Sequence, residues 1–190
     1  TDIDSWGGNT MQSAFNSFFS NANYNYADKY FADASIRTDG SSLFGKNHRY
    51  ATFYSFGGMW KAKNEPFLQR VNWVNDLSLS VSYGTTGNAD LTWETVATLN
   101  VRLHTRLWDR LTMGLEFYDR KSSDLLMELP FSATTGHGSG MGNIAEMKNT
   151  GVDLEVEFDI IHTSNVYWGV RANVNYNKNT ITKLYQGLDE

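Results

Sequence analysis

At 190 residues the chain is long enough for one domain. It has no cysteine, which excludes a disulfide framework and any thiolate metal site, and its formal net charge of −5, from 16 basic and 21 acidic residues, gives no electrostatic reason to bind nucleic acid. No apolar run approaches the roughly 18–20 residues of a membrane helix, and a mean hydropathy of −0.45 reads as soluble, an inference that fails for barrels whose strands alternate lipid-facing and lumen-facing residues.

Taken in order, the elements repeat with period two. Phe18, Ser20, Ala22, Tyr24 and Tyr26 alternate with Phe19, Asn21, Asn23 and Asn25. Tyr30, Ala32, Ala34 and Ile36 alternate with Phe31, Asp33, Ser35 and Arg37. A strand over 50–60 follows, fairly apolar on both faces. Leu77, Leu79, Val81 and Tyr83 alternate with serines, Ala97 to Leu103 with Thr98, Asn100, Arg102 and His104, and Leu111 to Phe117 with Thr112, Gly114, Glu116 and Tyr118. Val152 to Ile160 alternate with Asp153, Glu155, Glu157 and Asp159, and Trp168 to Tyr176 with Gly169, Arg171 and three asparagines. This predicts about eight antiparallel strands, most near the 9–11 residues that cross a bilayer at a tilt.

The links alternate too. Those at 27–29, 106–110 and 161–166 are short, whereas 38–49 and 122–148 are long. Short turns at one end and long loops at the other are the habit of outer-membrane barrels. The link at 61–75 is long for the short-turn end, and 85–88 is short for the long-loop end. Tyr26, Tyr30, Trp60 and Trp168 fall at the short-turn ends of strands, and Tyr83, Trp93, Phe117 and Tyr176 at the opposite ends. All eight sit on the apolar parity, with Trp60 assigned to the even face, as two aromatic girdles would require. The acidic row of 153–159 and the amide row of 21–25 suit either a solvated surface or a wet lumen. The first residues, Thr1-Asp2-Ile3-Asp4, are not a signal peptide, so any export signal is expected outside this chain.

Chemistry-bearing motifs are scarce. His48, His104, His137 and His162 are scattered and no His-Glu-x-x-His occurs, so neither a metal nor a cofactor is expected. Gly136-His137-Gly138-Ser139-Gly140 fits neither a nucleophile elbow nor a phosphate loop and reads as a flexible loop. Asp119, Asp124 and Glu128 could pair for glycoside cleavage, but nothing in the spacing fixes two carboxyls across a cleft, and no enzyme activity is expected. The candidates for cargo contact are Tyr118 and Arg120, on the lumen parity near the outer end of one strand, with Arg37 and Asp39 at the matching end of another. Aromatic and hydrogen-bonding side chains are what a sugar or peptide site uses. Ion-paired wall residues, and a turn at Asp39-Gly40, are the plainer account.

Several segments, in this order, resemble one family: KYFADASIRTDGSSLFGKNHRYATF at 29–53, LSLSVSYGTTGN at 77–88, LTWETVATLNVRL at 91–103, LEFYDRKSSDLL at 115–126, TTGHGSGMGNIAEMKNTGVDLEVEF at 134–158, and Trp168 to Asn179. They resemble the C-terminal barrel region of the SusC/RagA family of TonB-linked outer-membrane proteins, typical of Bacteroidetes. The resemblance implies an all-β fold, an antiparallel transmembrane β-barrel portion supplying about eight strands of a larger, roughly 22-stranded barrel. It implies a bacterial outer-membrane location among lipid, a SusD-like surface lipoprotein and TonB as partners, and glycan or peptide cargo. No plug domain is recognised in residues 1–190, and family residues are expected to be missing between 88 and 91. The chain reads as a portion of a larger one, because eight strands of a wide barrel have bare edges that hydrocarbon does not tolerate. Closure of these eight on themselves is the other way to remove the edges. The rival from another class is a secreted, soluble β-sandwich that binds glycans. A hydrolase barrel would need a catalytic set that this sequence does not display.

Overall fold

The computed structural model describes residues 14–41, 50–88, 94–130 and 139–184. The strands are β1 (Phe15–Tyr26), β2 (Tyr30–Ser41), β3 (Tyr50–Lys61), β4 (Val74–Asn88), β5 (Glu94–Leu107), β6 (Leu111–Pro130), β7 (Ser139–His162) and β8 (Tyr167–Lys183). They form one antiparallel sheet in sequence order, β1 to β8, each strand paired with its neighbours in the chain.

Backbone geometry explains the tight links. Ala27 and Asp28 both lie near φ +54°, and Trp108 and Asp109 near +52°. The amide of Lys29 donates to the Tyr26 carbonyl at 3.1 Å and that of Arg110 to the Leu107 carbonyl at 3.0 Å. Two left-handed central residues closed by such a bond form the hairpin turn whose twist matches that of its strands. At the third tight link, the Thr163 amide donates to the Val166 carbonyl at 2.9 Å and the Thr163 hydroxyl accepts from the Val166 amide at 3.0 Å. The longer link between β3 and β4 is ordered by a 3-10 turn (Ala62–Asn64) and one turn of helix, α1 (Pro66–Gln69), with proline in the first helical turn, where its missing N–H costs nothing.

Opposed residues of an antiparallel pair share a face, so the register fixes both faces of the sheet. One outward row runs Tyr26, Tyr30, Trp60, Leu79, Leu103, Leu115, Leu154, Val174, each directly opposite the next. It leaves β1 at that strand's last residue and meets β8 seven residues after Tyr167. The drift is thus about one residue per strand. At roughly 3.3 Å per residue against roughly 4.8 Å between strands, this inclines the strands by about 35°, the tilt of transmembrane barrels. The even-face assignment of Trp60 holds, since Trp60 lies opposite Tyr30 and Leu79.

The sheet has no second layer. Among the described residues the buried apolar side chains are only Phe53, Ala62, Val74 and Ala145. The chain exposes 14201 Å², whereas a compact monomer of 21.5 kDa exposes about 9,200 Å². A sandwich buries one face of each sheet against the other, and this sheet leaves both faces bare.

Three expectations need correction. The link expected at 85–88 is strand, because β4 runs to Asn88 and Thr85 to Asn88 pair with Ala97 to Glu94. Most of 122–148, expected as one long loop, is strand, because β6 continues to Pro130 and β7 begins at Ser139. The alternation is hidden there by irregularities between Ser122 and Leu125, and by Asp124 at φ +59°. The expected long loop at 38–49 is likewise shorter, with β2 reaching Ser41. The expected gap near 88–91 lies outside the described residues.

Candidate functional site

The inward face is built from successive register rows across β5, β6, β7 and β8. Nearest the tight-turn end stand Arg106, Thr112, Glu157 and Arg171, and two rows further out Arg102, Glu116, Asp153 and Asn175. These rows are charged and internally bonded, with a net acidic balance of three arginines against five carboxylates. Arg171 bonds Glu157 at 2.7 Å and approaches Glu155 at 3.8 Å, Arg102 approaches Glu116 at 3.8 Å, and Arg106 approaches Asp159 at 3.9 Å. The Asn175 amide donates to Asp153. Arg102, Glu116, Asp153, Glu155 and Arg171 help line a hollow of about 620 Å³.

The chemistry changes at the next row. Asn100, Tyr118, Gly151 and Asn177 lie side by side, followed outward by Thr98, Arg120, Asn149 and Asn179. Tyr118 leans across the ladder onto Gly151, where any Cβ would overlap its phenol end. An aromatic ring covering a directly opposed glycine shields bare backbone and leaves its other side to the lumen. Tyr118 and Arg120, both expected as cargo contacts, come together in one hollow of about 420 Å³, also lined by Asn100, Asn149 and Asn177. The Oδ1 of Asn149 is buried there without a hydrogen-bond partner.

Arg37 and Asp39 lie apart from this hollow, on β2. They bind each other, Nε to Oδ1 and Nη2 to Oδ2, both at 2.7 Å, and Asp39 is buried. With Ser35, Phe53, Tyr54 and Thr85 they line a separate hollow of about 220 Å³. It opens where β3 and β4 part: their ladder ends at Ser55 opposite Gly84, and the Thr85 hydroxyl takes the Tyr54 amide at 3.1 Å. The sequence thus identifies all four residues as inward-facing, but they form two clusters on β2 and β6, with β3, β4 and β5 between.

Of the eight aromatic residues expected to form girdles, seven are described, and all seven are exposed on the apolar face of the sheet. Tyr26, Tyr30 and Trp60 form one row, Phe117 and Tyr176 flank Val152 in another, Trp168 is opposite Ile161, and Tyr83 is opposite Phe56. Trp93 lies outside the described residues. From Trp168 to Tyr176 is roughly 26 Å of strand, or about 22 Å along the axis at the tilt above, close to the ~25 Å apolar band of such barrels.

Several arrangements had no clear sequence signal. Glu65, in the link between β3 and β4, is buried and accepts from the Tyr30 hydroxyl at 2.6 Å, Lys29 Nζ at 3.1 Å and Trp60 Nε1 at 3.3 Å. Its carboxyl is held below the ordinary 4.5, first by the Tyr30 hydrogen bond and then by Lys29. Lys63 closes the same link by donating to the carbonyls of Leu68 and Val71 at 3.1 and 2.8 Å. Trp73 and Trp108 stack at 5.8 Å beside the tight turn. Asp119, one of the imagined carboxylate set, is on the outward face and bonded to Lys148 at 2.9 Å.

The protein family described as "TonB dependent receptor-like, beta-barrel" matches residues 1–189. The chain belongs to this family. Within it, the chain is 30% identical over 213 residues to "TonB-dependent receptor SusC" of Bacteroides thetaiotaomicron, covering 91% of the chain and 21% of that protein. It is 31% identical over 208 residues to "TonB-dependent receptor P3" of Formosa agariphila, covering 91% and 21%. Among solved structures, the RagAB peptide importer in its 'closed-closed' state superposes with a TM-score of 0.84 at 36% identity, covering 93% of this chain and 23% of that one. The 'open-open' state of the same importer gives the same TM-score and coverage. The chain therefore spans about a fifth of the length of the curated relatives it matches. The resemblance to SusC/RagA proteins and the antiparallel barrel fold are borne out, and the similar proteins carry the names of receptors and of an importer.

Proposed function

We propose that this chain forms part of the wall of an outer-membrane importer driven by TonB, which takes up glycans or peptides together with a SusD-like surface lipoprotein. The observation that carries the reading is the membership of residues 1–189 in the TonB-dependent receptor barrel family. The single-layer sheet supports it, with its apolar outward face, aromatic ends and tilt of a membrane wall. The tight turns then face the periplasm.

Barrel width follows from the inward face. Eight strands closed at this tilt would have a radius of about 8 Å, filled by side chains. Asp153, Glu155 and Glu157 stand in one row on β7 without being buried, and three hydrated carboxylates beside one another suit a narrow, side-chain-filled core poorly. A barrel of roughly 22 strands, with a radius of about 20 Å, leaves them in a wet lumen. In this reading residues 1–190 contribute wall and lumen lining, and the plug that TonB moves comes from elsewhere in the protein.

Cargo contact is assigned to the outer rows of the lumen, chiefly Tyr118 and Arg120 with Asn149 beside them, and secondarily to Arg37 and Asp39. The test uses the intact protein extracted from outer membranes in detergent. The expected result is a polypeptide several times heavier than 21.5 kDa that co-purifies with a lipoprotein, and recovery as a detergent-free soluble protein refutes the reading. Within that complex, Tyr118→Ala and Arg120→Ala should each weaken cargo binding about tenfold, the worth of one good contact. Unchanged affinity in both would remove the hollow from the cargo path.

A further inference from the structure

We propose that the outward face of β6, β7 and β8, immediately beyond the outer aromatic row, binds the phosphate groups of outer-leaflet lipid. The inference rests on the outer-membrane reading above and adds a lipid site on the opposite face from the cargo. The reference line is the row Phe117, Val152, Tyr176. The next outward row is Asp119, Thr150, Lys178, and the one after it Lys121, Lys148, Thr180. Each row is two residues further along tilted strands, so the two lie about 5 and 11 Å beyond the aromatics. The nearer row lies within the headgroup layer, roughly 5–8 Å thick on each side of the hydrocarbon, and the farther row about 3 Å above it, a distance that a lysine stem can span.

The charge pattern at this depth is unusual for a strand pair. Lys121 and Lys148 stand directly opposite each other, an arrangement that like charges oppose. Each is offset by one carboxylate, Lys121 by Glu146 at 2.8 Å and Lys148 by Asp119 at 2.9 Å. Lys178 lies on the row between, and Lys183 stands opposite Glu146 past a register shift. Asp124 also lies close enough to act on Lys121, so four lysines with three carboxylates leave a net charge of about +1 on a face that is apolar just below it. The Lys121 and Lys148 side chains remain half exposed despite the ion pairs, at 53% and 45%. Long stems that lie along apolar surface and lift an ammonium to headgroup depth suit a phosphate there. The hydroxyls of Thr150 and Thr180 lie in the same rows and can donate to the same oxygens.

The experiment uses the full-length protein purified in detergent, titrated with bis-phosphorylated lipid A, with dephosphorylated lipid A and with inorganic phosphate, retained adducts being read by native mass spectrometry. The wild type should retain the phosphorylated lipid about tenfold better than the dephosphorylated one. The triple variant K121Q/K148Q/K178Q should lose that preference, K121R/K148R/K178R should keep it, and unchanged heat-modifiable migration on gels would establish that both variants fold. Equal retention of the two lipids by the wild type, or an unchanged preference in the glutamine variant, overturns the proposal. Competition by micromolar inorganic phosphate overturns the lipid assignment in favour of a free-anion site. A wild type that stays in solution without detergent overturns the outer-membrane reading itself, an outcome distinct from loss of the lipid site alone.

Discussion

The face assignment makes a graded prediction along β7. Its outward residues Val152, Val156 and Ile161 lie at the outer aromatic row, mid-strand and inner row respectively. Val156 is four residues from the first and five from the last, so it sits close to the bilayer midplane. Arginine placed there faces hydrocarbon with no partner, and the cost at the midplane of such barrels is about 2–4 kcal/mol, falling to about 0–1 kcal/mol at the interface. Val156→Arg should therefore shift the folding equilibrium about 30- to 800-fold, and Val152→Arg less than about sixfold. The inward control is Asn173→Arg, which sets a guanidinium in the lumen opposite Glu155 and should cost under about 1 kcal/mol. The assay is urea titration of the full-length protein refolded into phosphocholine vesicles, with the folded fraction read from heat-modifiable migration. If Asn173→Arg costs as much as Val156→Arg, or if Val152→Arg equals Val156→Arg, the outward face is not in lipid and the reasoning fails.

Two further predictions concern the tight-turn end. Removing the acceptor shared by Tyr30, Lys29 and Trp60 in Glu65→Ala should free the link between β3 and β4, giving faster tryptic cleavage at Lys63 and a red-shifted tryptophan emission; an unchanged digest would deny Glu65 this role. Because the folded carboxyl titrates below its ordinary 4.5, its contribution is fully present above that value and is lost as the pH falls through the lowered one. Acidification below the ordinary 4.5 should thus loosen the link in the wild type, and Glu65→Gln should flatten that part of the emission–pH curve. At the first hairpin, Ala27 holds φ +54°, where asparagine is tolerated better than alanine, so Ala27→Asn should stabilise the vesicle-folded protein by about 0.5–1 kcal/mol in the same urea assay. A loss of stability would show that the turn is not strained at this residue.

Period two made the strands legible wherever one face was apolar and the other polar, as in Val152 to Phe158 and Trp168 to Tyr176, and it slipped at Ile160, where a shift in pairing puts Ile161 opposite Trp168. It did not decide the face of Trp60, whose strand is apolar on both sides; the even parity taken for it agrees with the register, which sets Trp60 opposite Tyr30 and Leu79. The reading failed where the pattern was interrupted for a physical reason. Between Ser122 and Leu125 an irregularity shifts the pairing, and the glycines at 138, 140 and 142 resemble a loop, so the outer parts of β6 and β7 were invisible. The candidate site was half legible. Parity put Tyr118, Arg120, Arg37 and Asp39 on the inward face, and the two-residue spacing of Arg37 and Asp39 brings them together on one side of a strand. Gly151 beneath Tyr118, the acceptors on Arg171 and the donors on Glu65 depend on which residues stand opposite one another across the sheet, and composition along a single strand carries no trace of that register.

The same register explains how one wall could serve two tasks. On β5 to β8 the inner rows spend their charges on one another: Arg171 spans Glu155 and Glu157, Arg102 meets Glu116, and Arg106 meets Asp159. These rows hold three arginines against five carboxylates, a net charge of about −2, and each carboxylate has a donor close by. The rows from Tyr118 outward are different in kind, with amides, one aromatic ring and the guanidinium of Arg120. Amides offer donor and acceptor together, and a ring offers contact area without charge, so these rows can match a neutral, hydrogen-bonding cargo without first breaking an ion pair. The boundary falls between Glu116 and Tyr118, two residues on one strand. Selectivity is therefore expected to change with substitutions at 118, 120, 149 and 177, whereas substitutions at 155, 157 and 171 should act mainly on the wall itself.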